Sequence, residues 1–347
     1  MNDTLRVGFV GLGGISRQRH VPGLKRIPGV EIAAVANRGR ASSERAAAEF
    51  GIPEICEDWR ELVARPDLQA VFIGTWPYMH REISLAALDA GKHVFCQARM
   101  AMNAAEALEM VRRARALDLV AALCPVPFGL KYDRAVERML REGELGDVRL
   151  VQAASLCGAY ADPATPMDWR KDHRLSGLNM HTLGMYVEVM HRWFGWTADA
   201  SAQTQTFVPE RVDETGARVE VRIPDQVLLA ARQRNGIPIQ YAFSTVAQHP
   251  VDRVEVYGSA ATLRYDVASD VMTIARAGET TFVEVEVRPD EAYDVARWRV
   301  EEDFVAAIRE GRPYHPDFED GVRYMQVVDA VYTSADSGKV VPIEEPV

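Results

Sequence analysis

The residues with the clearest chemical meaning stand near the start of the chain. Gly11-Leu12-Gly13-Gly14-Ile15-Ser16 directly follows an apolar, β-rich run, Leu5–Val10, and opens a helical pattern. Gly11 permits a tight turn and Gly13 lets backbone approach a pyrophosphate. Gly14 and Ile15 lead into a helix N-terminus, whose partial positive charge suits the anion. Ser16 replaces the third glycine of the usual pattern and is small enough for close packing. With a strand before it, a helix after it and a second strand at the right distance, the turn reads as dinucleotide-binding. That second strand ends Val35-Ala36-Asn37-Arg38. An acidic residue that clasps the ribose of NAD is expected here, about 20 residues past the glycines. Asn37 has no charge to repel a 2′-phosphate and Arg38 can pair with one, so the pattern favours NADP over NAD.

The elements that position this turn alternate. Strand-like runs Leu5–Val10, Glu31–Ala36, Ala70–Gly74, His93–Cys96 and Val120–Leu123 are separated by helical patterns over Ser16–Arg26, Ser43–Phe50, Trp59–Ala64, His80–Ala90 and Ala104–Leu117. Asn103 is a natural N-cap for the last helix, with Glu106 as the acidic third residue. Such alternation implies βαβ units and a parallel sheet. After Pro125-Val126-Pro127 the pattern changes. One helix, Tyr132–Glu142, is followed by a series of strands, Val148–Leu156, Ala200–Val208, Gln226–Arg232, Ile239–Val246, Asp252–Tyr257, Ala261–Tyr265, Val271–Ala275 and Phe282–Val287. Helices are expected at Leu178–Phe194, Ala296–Glu310 and Glu319–Ser337. The fold class is therefore α/β: a doubly wound parallel domain over 1–123, then an α+β domain over 124–347 with a mostly antiparallel sheet.

Composition excludes several classes. The 347 residues suit two domains at roughly 150 residues each. The net charge of −10 argues against a nucleic-acid or anionic-membrane partner, which calls for a basic face. No apolar run approaches the roughly 20 residues of a membrane helix, and the first residues show no signal-peptide pattern. Cys56, Cys96, Cys124 and Cys157 have no paired spacing and read as buried, reduced thiols of a cytoplasmic protein. Asp168, His173, His181 and His191 lack the spacing of a metal site, so no metal is expected.

Nearly the whole chain resembles the glucose–fructose oxidoreductase, inositol dehydrogenase and MocA (Gfo/Idh/MocA) family. Thr75-Trp76-Pro77-Tyr78-Met79-His80 is similar to the family's Thr-Pro-x-x-x-His turn, and Ala90-Gly91-Lys92-His93-Val94 to its Ala-Gly-Lys-His-Val strand. Glu142-Gly143-Glu144-Leu145-Gly146-Asp147-Val148, Asp168-Trp169-Arg170, Gly258-Ser259-Ala260-Ala261-Thr262-Leu263 and Glu319-Asp320-Gly321 with Ser334-Ala335 resemble its later signatures. The resemblance implies a Rossmann domain, a C-terminal domain with a large open sheet, and a nicotinamide cofactor between them. It also implies a sugar or cyclitol hydroxyl or carbonyl as substrate, and a homodimer or homotetramer formed through the sheet. Thr75, Trp76, His80 and Gln97 would then help to hold the cofactor, and Trp169 and Arg170 the substrate.

The catalytic positions depart from that family. Its Glu-Lys-Pro is replaced by Gln97-Ala98-Arg99. Alanine cannot transfer a proton, and the guanidinium of Arg99 stays protonated, which suits it to binding a carboxylate or phosphate on the substrate. The family's Asp-x-Gly-x-His becomes Thr182-Leu183-Gly184-Met185-Tyr186. Thr182 and Tyr186 are four apart and share one helix face. Tyr186 is the expected proton-transfer residue, with His181, Lys171 or water assisting. Two other readings follow from the missing lysine. One is a lyase or glycosidase that uses bound NAD with no net redox change. The other is a non-catalytic nucleotide-binding sensor or partner subunit.

Overall fold

The computed structural model describes residues 4–289, 291 and 299–346. They fall into two compact units, Met1–Pro125 with Val295–Val322, and Val126–Asp294 with Arg323–Val347.

The first unit begins with β1 (Leu5–Val10). A π-helical turn, Ser16–His20, runs into α1 (Val21–Lys25). Then come β2 (Val30–Ala36), α2 (Arg40–Phe50), β3 (Glu54–Ile55), α3 (Trp59–Ala64), β4 (Ala70–Ile73), α4 (Pro77–Asp89), β5 (His93–Cys96), α5 (Ala104–Arg115) and β6 (Ala121–Leu123). The six strands lie in the order β3-β2-β1-β4-β5-β6, all paired in parallel. Strands in such a sheet are buried on both faces, which is why β4 is apolar and buried throughout. The order reverses between β1 and β4, and open α/β sheets bind ligands outside the carboxyl ends of strands at such a point. Asn103 caps α5 as expected, accepting from the Glu106 amide at 2.9 Å, a contact worth about 1 kcal/mol.

The second unit opens with a 3₁₀ turn, Leu130–Tyr132, and α6 (Asp133–Arg141). Next are β7 (Val148–Leu156), α7 (His173–Ser176), α8 (Leu183–Phe194), β8 (Thr197–Gln205), β9 (Glu210–Val212), β10 (Arg218–Glu220), β11 (Gln226–Gln233), β12 (Pro238–Ser244), β13 (Val251–Gly258), β14 (Ala261–Asp266), β15 (Val271–Arg276) and β16 (Val283–Glu284). The chain closes with α9 (Val300–Glu310), α10 (Phe318–Ser337) and β17 (Val341–Pro342). A nine-stranded sheet runs β16-β15-β14-β13-β7-β12-β11-β8-β17. Its pairings are antiparallel except β12 with β7, so the sheet is mixed as well as large. Alternation along β11 buries every second residue, the pattern of a sheet covered on one face only.

Two differences from the sequence reading have physical causes. The expected helix Leu178–Phe194 begins only at Leu183, because His181 has φ +44°, outside the α-helical region. Residues 299–322 group with the first unit: Phe304 of α9 stands edge-on to Phe72 and Phe95 at 5.3 and 5.4 Å. Residues 296–298 of the expected helix lie outside the described residues, and α9 is seen from Val300. Cys56, Cys96 and Cys124 are buried free thiols, whereas Cys157 is only half-buried.

Candidate functional site

The turn after β1 is built so that only glycine fits at its first position. Gly11 has φ +77°, and a Cβ there would lie 2.7 Å from Thr75 Cγ2 and 2.8 Å from the Thr75 amide nitrogen. Apart from its chain neighbours, no atom of the described residues comes within 4 Å of where a Cβ on Gly14 would be, so the turn faces open space at that position. Gly13 N donates to Gly11 O at 2.8 Å, and Ile15 is exposed at the start of the helix. Ser16 is buried with its hydroxyl against Gly74, the close packing expected of it.

Asn37 braces this turn. Its Oδ1 accepts from the Leu12 amide at 2.7 Å, and its Nδ2 donates to Ser42 O at 3.1 Å. Arg38, the next residue, is exposed and makes no hydrogen bond or ion pair among the described residues. Arg40 is already committed to Glu44 and Glu57. Gly11, Asn37, Arg38, Trp59, Thr75 and Trp76 line a cleft of about 340 Å³. An open glycine turn at a helix start, beside an unpaired guanidinium, fits the diphosphate and ribose of a nicotinamide dinucleotide.

His80 lies in α4, and it is fully buried. Its Nδ1 faces Arg99 O at 2.9 Å and its Nε2 faces Thr75 O at 3.0 Å. Burial pushes its pKa down, and the carbonyl oxygens oppose that. It therefore ties the segment after β4 to the segment after β5 rather than reaching outward. Arg99 is buried as well. Gln97 directly follows β5 with its amide nitrogen on His20 Nε2, and His20 Nδ1 meets Glu301.

In the second unit, Tyr186 on α8 is buried, its ring against Phe128 at 4.8 Å and Phe243 at 5.1 Å. Its hydroxyl donates to Asp252 Oδ1 at the start of β13. Burial, then the Asp252 carboxylate, push the phenol far up, so it stays protonated. The Thr182 hydroxyl, one turn before Tyr186, is buried without a hydrogen-bond partner among the described residues. The His181 ring approaches Cys157 Sγ at 3.9 Å. Tyr186, Thr182 and His181 are thus gathered at the start of α8. Lys171 is instead in a buried ion pair with Asp225 at 2.6 Å, and burial pushes its pKa down. Trp169 and Arg170 stack on one another at 4.5 Å, and Arg170 is exposed.

Sequence reasoning did not single out His20, Asp252 or Glu301. His20 had a signal, since it follows the buried Ser16 by four residues and so shares its helix face. Asp252 and Glu301 had none, being far in sequence from the groups they touch. Among the described residues His315, Asp317 and Asp320 lie close enough to share an ion, but Asp317 is occupied in capping the start of α10.

Residues 5–123 match the model of an oxidoreductase family with an NAD-binding Rossmann fold, and residues 137–343 match its C-terminal α/β domain. An inositol 2-dehydrogenase of Gluconacetobacter diazotrophicus is 29% identical, covering 98% of this chain and 97% of its own. A levoglucosan dehydrogenase of Pseudarthrobacter phenanthrenivorans is 25% identical over 84% of each chain. Among solved structures, a levoglucosan dehydrogenase in complex with NADH and L-sorbose superposes with a TM-score of 0.88. It covers 99% of this chain and all of its own, and at 22% identity it speaks to the fold alone. An oxidoreductase domain protein from Kribbella flavida gives 0.86 at 27% identity, covering 99% of this chain and 100% of its own. No helix among the described residues is long and apolar enough to cross a membrane. With both domain models matched along most of its length, the chain belongs to the Gfo/Idh/MocA family of oxidoreductases.

Proposed function

We propose that this protein is a dehydrogenase that uses NADP in preference to NAD and acts on a hydroxyl of a cyclitol or sugar-like molecule. The observation that carries the reading is the open glycine turn at the sheet's reversal point, with Arg38 unpaired beside it. The named activities of the two relatives support the substrate class. The dinucleotide supplies the hydride-accepting ring. The chain supplies backbone amides and Arg38 to hold it, and Tyr186 and Asp252 to move the proton. As an alcohol is oxidised, its hydroxyl proton passes to Tyr186 Oη while the phenol proton passes to the Asp252 carboxylate, which returns it to water. The Tyr186–Asp252 pair thus takes over the proton transfer that Ala98 cannot perform. The residues gathered with Tyr186 (Thr182 and His181) bind or orient the hydroxyl, and a second copy pairs through the nine-stranded sheet.

The test is a titration of the purified protein with NAD and NADP, followed by a panel of cyclitols, aldoses and anhydrosugars read by reduced-nicotinamide absorbance. Tight NADP binding and turnover of a polyol are expected. Bound dinucleotide that never changes its redox state across the panel would overturn the dehydrogenase reading.

A further inference from the structure

We propose that Glu301 and His20 form a buried positioning couple that fixes the amide of Gln97 with its carbonyl oxygen outward, as a hydrogen-bond acceptor for a hydroxyl of the bound dinucleotide. This rests on the reading that the first unit holds that dinucleotide.

The argument starts from donors and acceptors. The side chains of His20 and Glu301 are 1% and 0% exposed, so each must find its partners inside the protein. A carboxylate oxygen only accepts, so the His20 Nδ1 that meets Glu301 carries the hydrogen. In that tautomer Nε2 has a lone pair, and the amide nitrogen of Gln97 is the group that faces it. Gln97 is therefore held by its nitrogen. Its Oε1 accepts no hydrogen bond from the described residues.

The packing fixes this chain of groups in place. The His20 ring stands edge-on to Phe95 at 5.1 Å and tilted to Phe72 at 5.9 Å. Gly23 in α1 leaves room for the carboxylate: a Cβ there would lie 2.3 Å from Glu301 Oε2. Gln97 follows the carboxyl end of β5, next to that of β4 and the segment with Thr75, the edge where a parallel sheet binds ligands. A glutamate at 97 would invert the logic. Two carboxylates would flank one imidazole, and both ring nitrogens would have to carry hydrogen. The amide at 97 and the Nδ1-protonated ring are thus a matched pair, and the outward group is neutral rather than anionic.

Nitrogen-15 NMR of the full chain reads the tautomer without any ligand. The expected His20 signature is a protonated Nδ1 and a bare Nε2. Gln97→Met keeps the length of the side chain and removes both amide atoms. It is expected to leave the tautomer unchanged and to weaken dinucleotide binding by about 2- to 10-fold. Gln97→Glu is expected to show a doubly protonated His20. A wild-type ring protonated at Nε2 overturns the proposal, and so does Gln97→Met binding as tightly as wild type. Gln97→Met and the wild-type spectrum decide the matter even if Gln97→Glu does not fold. A wild type that binds no dinucleotide removes both this proposal and the reading of the first unit. Wild-type binding that Gln97→Met fully retains removes this proposal alone.

Discussion

Tyr186 holds a proton that its surroundings do not let it lose. Burial and the Asp252 carboxylate both favour the neutral phenol, so a tyrosinate base is not available near neutral pH. The pair acts only if Asp252 receives what Tyr186 passes on. Tyr186→Phe should lower kcat by roughly 10²- to 10⁴-fold with dinucleotide affinity unchanged. Asp252→Asn keeps an oxygen that accepts the phenol hydrogen but removes the proton acceptor, so kcat should fall comparably while the circular dichroism spectrum stays as it was. Steady-state kinetics on both variants check this, and an Asp252→Asn enzyme with wild-type kcat would end the relay. On the cofactor side, Arg38→Ala should weaken NADP by roughly 10-fold or more, because charge-assisted hydrogen bonds are lost, and NAD far less. The gap should narrow as salt rises. Fluorescence titration with both dinucleotides measures it, and an unchanged ratio would remove the NADP preference. At this scale the glycine turn was legible because its logic is local. Asp252 was not, since it meets Tyr186 from 66 residues away, nor was Glu301, which meets His20 from 281 away.

Elements with strong periodicity could be read from sequence, and those set by distant partners could not. β1, β5, α3 and β7 fall where the apolar pattern put them. The parallel pairing of β12 with β7 has no local signature, because register is chosen by the face that is buried. The start of α8 was overestimated because one residue, His181 at φ +44°, interrupts an otherwise helical run of side chains. Lys171 shows how an element's packing can claim a residue that looks chemical. Its ammonium meets Asp225, a fully buried carboxylate that also accepts from the Phe207 and Val208 amides at 2.8 and 2.9 Å. Replacing one partner of such a pair leaves the other charge buried and uncompensated. Lys171→Met should therefore cost about 3–5 kcal/mol in denaturant unfolding. A fully stable Lys171→Met protein that has lost turnover would instead return this lysine to the chemistry.

At the scale of the whole molecule, the boundary drawn after residue 123 from the change of strand and helix pattern misses the return of residues 299–322 to the first unit. That return depends on Phe304 meeting Phe72 and Phe95, a non-local fact. It is completed by a charged corner before α10, where Asp317 accepts from the amides of Glu319 and Asp320 and His315 pairs with Asp320 at 2.9 Å. Burial, and then the Asp320 charge, raise Asp317 to about 6, and the Asp320 contact raises His315. The folded chain binds a proton at Asp317 more readily than the unfolded chain, so stability falls as pH climbs from about 4 to about 6 and the loss is complete above that. His315 adds stability below its unfolded pKa that is lost as pH rises through its raised folded value. Buried His80 and half-buried His93, both pushed down by desolvation, act in the opposite direction and weaken the fold below about pH 6.5. These four groups oppose one another, so the informative quantity is a difference between variants. Asp317→Asn retains a capping oxygen and removes the charge. It should stabilise the protein by about 1 kcal/mol at pH 7.5, allowing for solvent at this partly exposed corner, and by almost nothing at pH 4. Denaturant unfolding of wild type and variant across that range measures the difference. A variant less stable than wild type at pH 7.5 would mean that the carboxylate is held by its amide donors more strongly than burial opposes it.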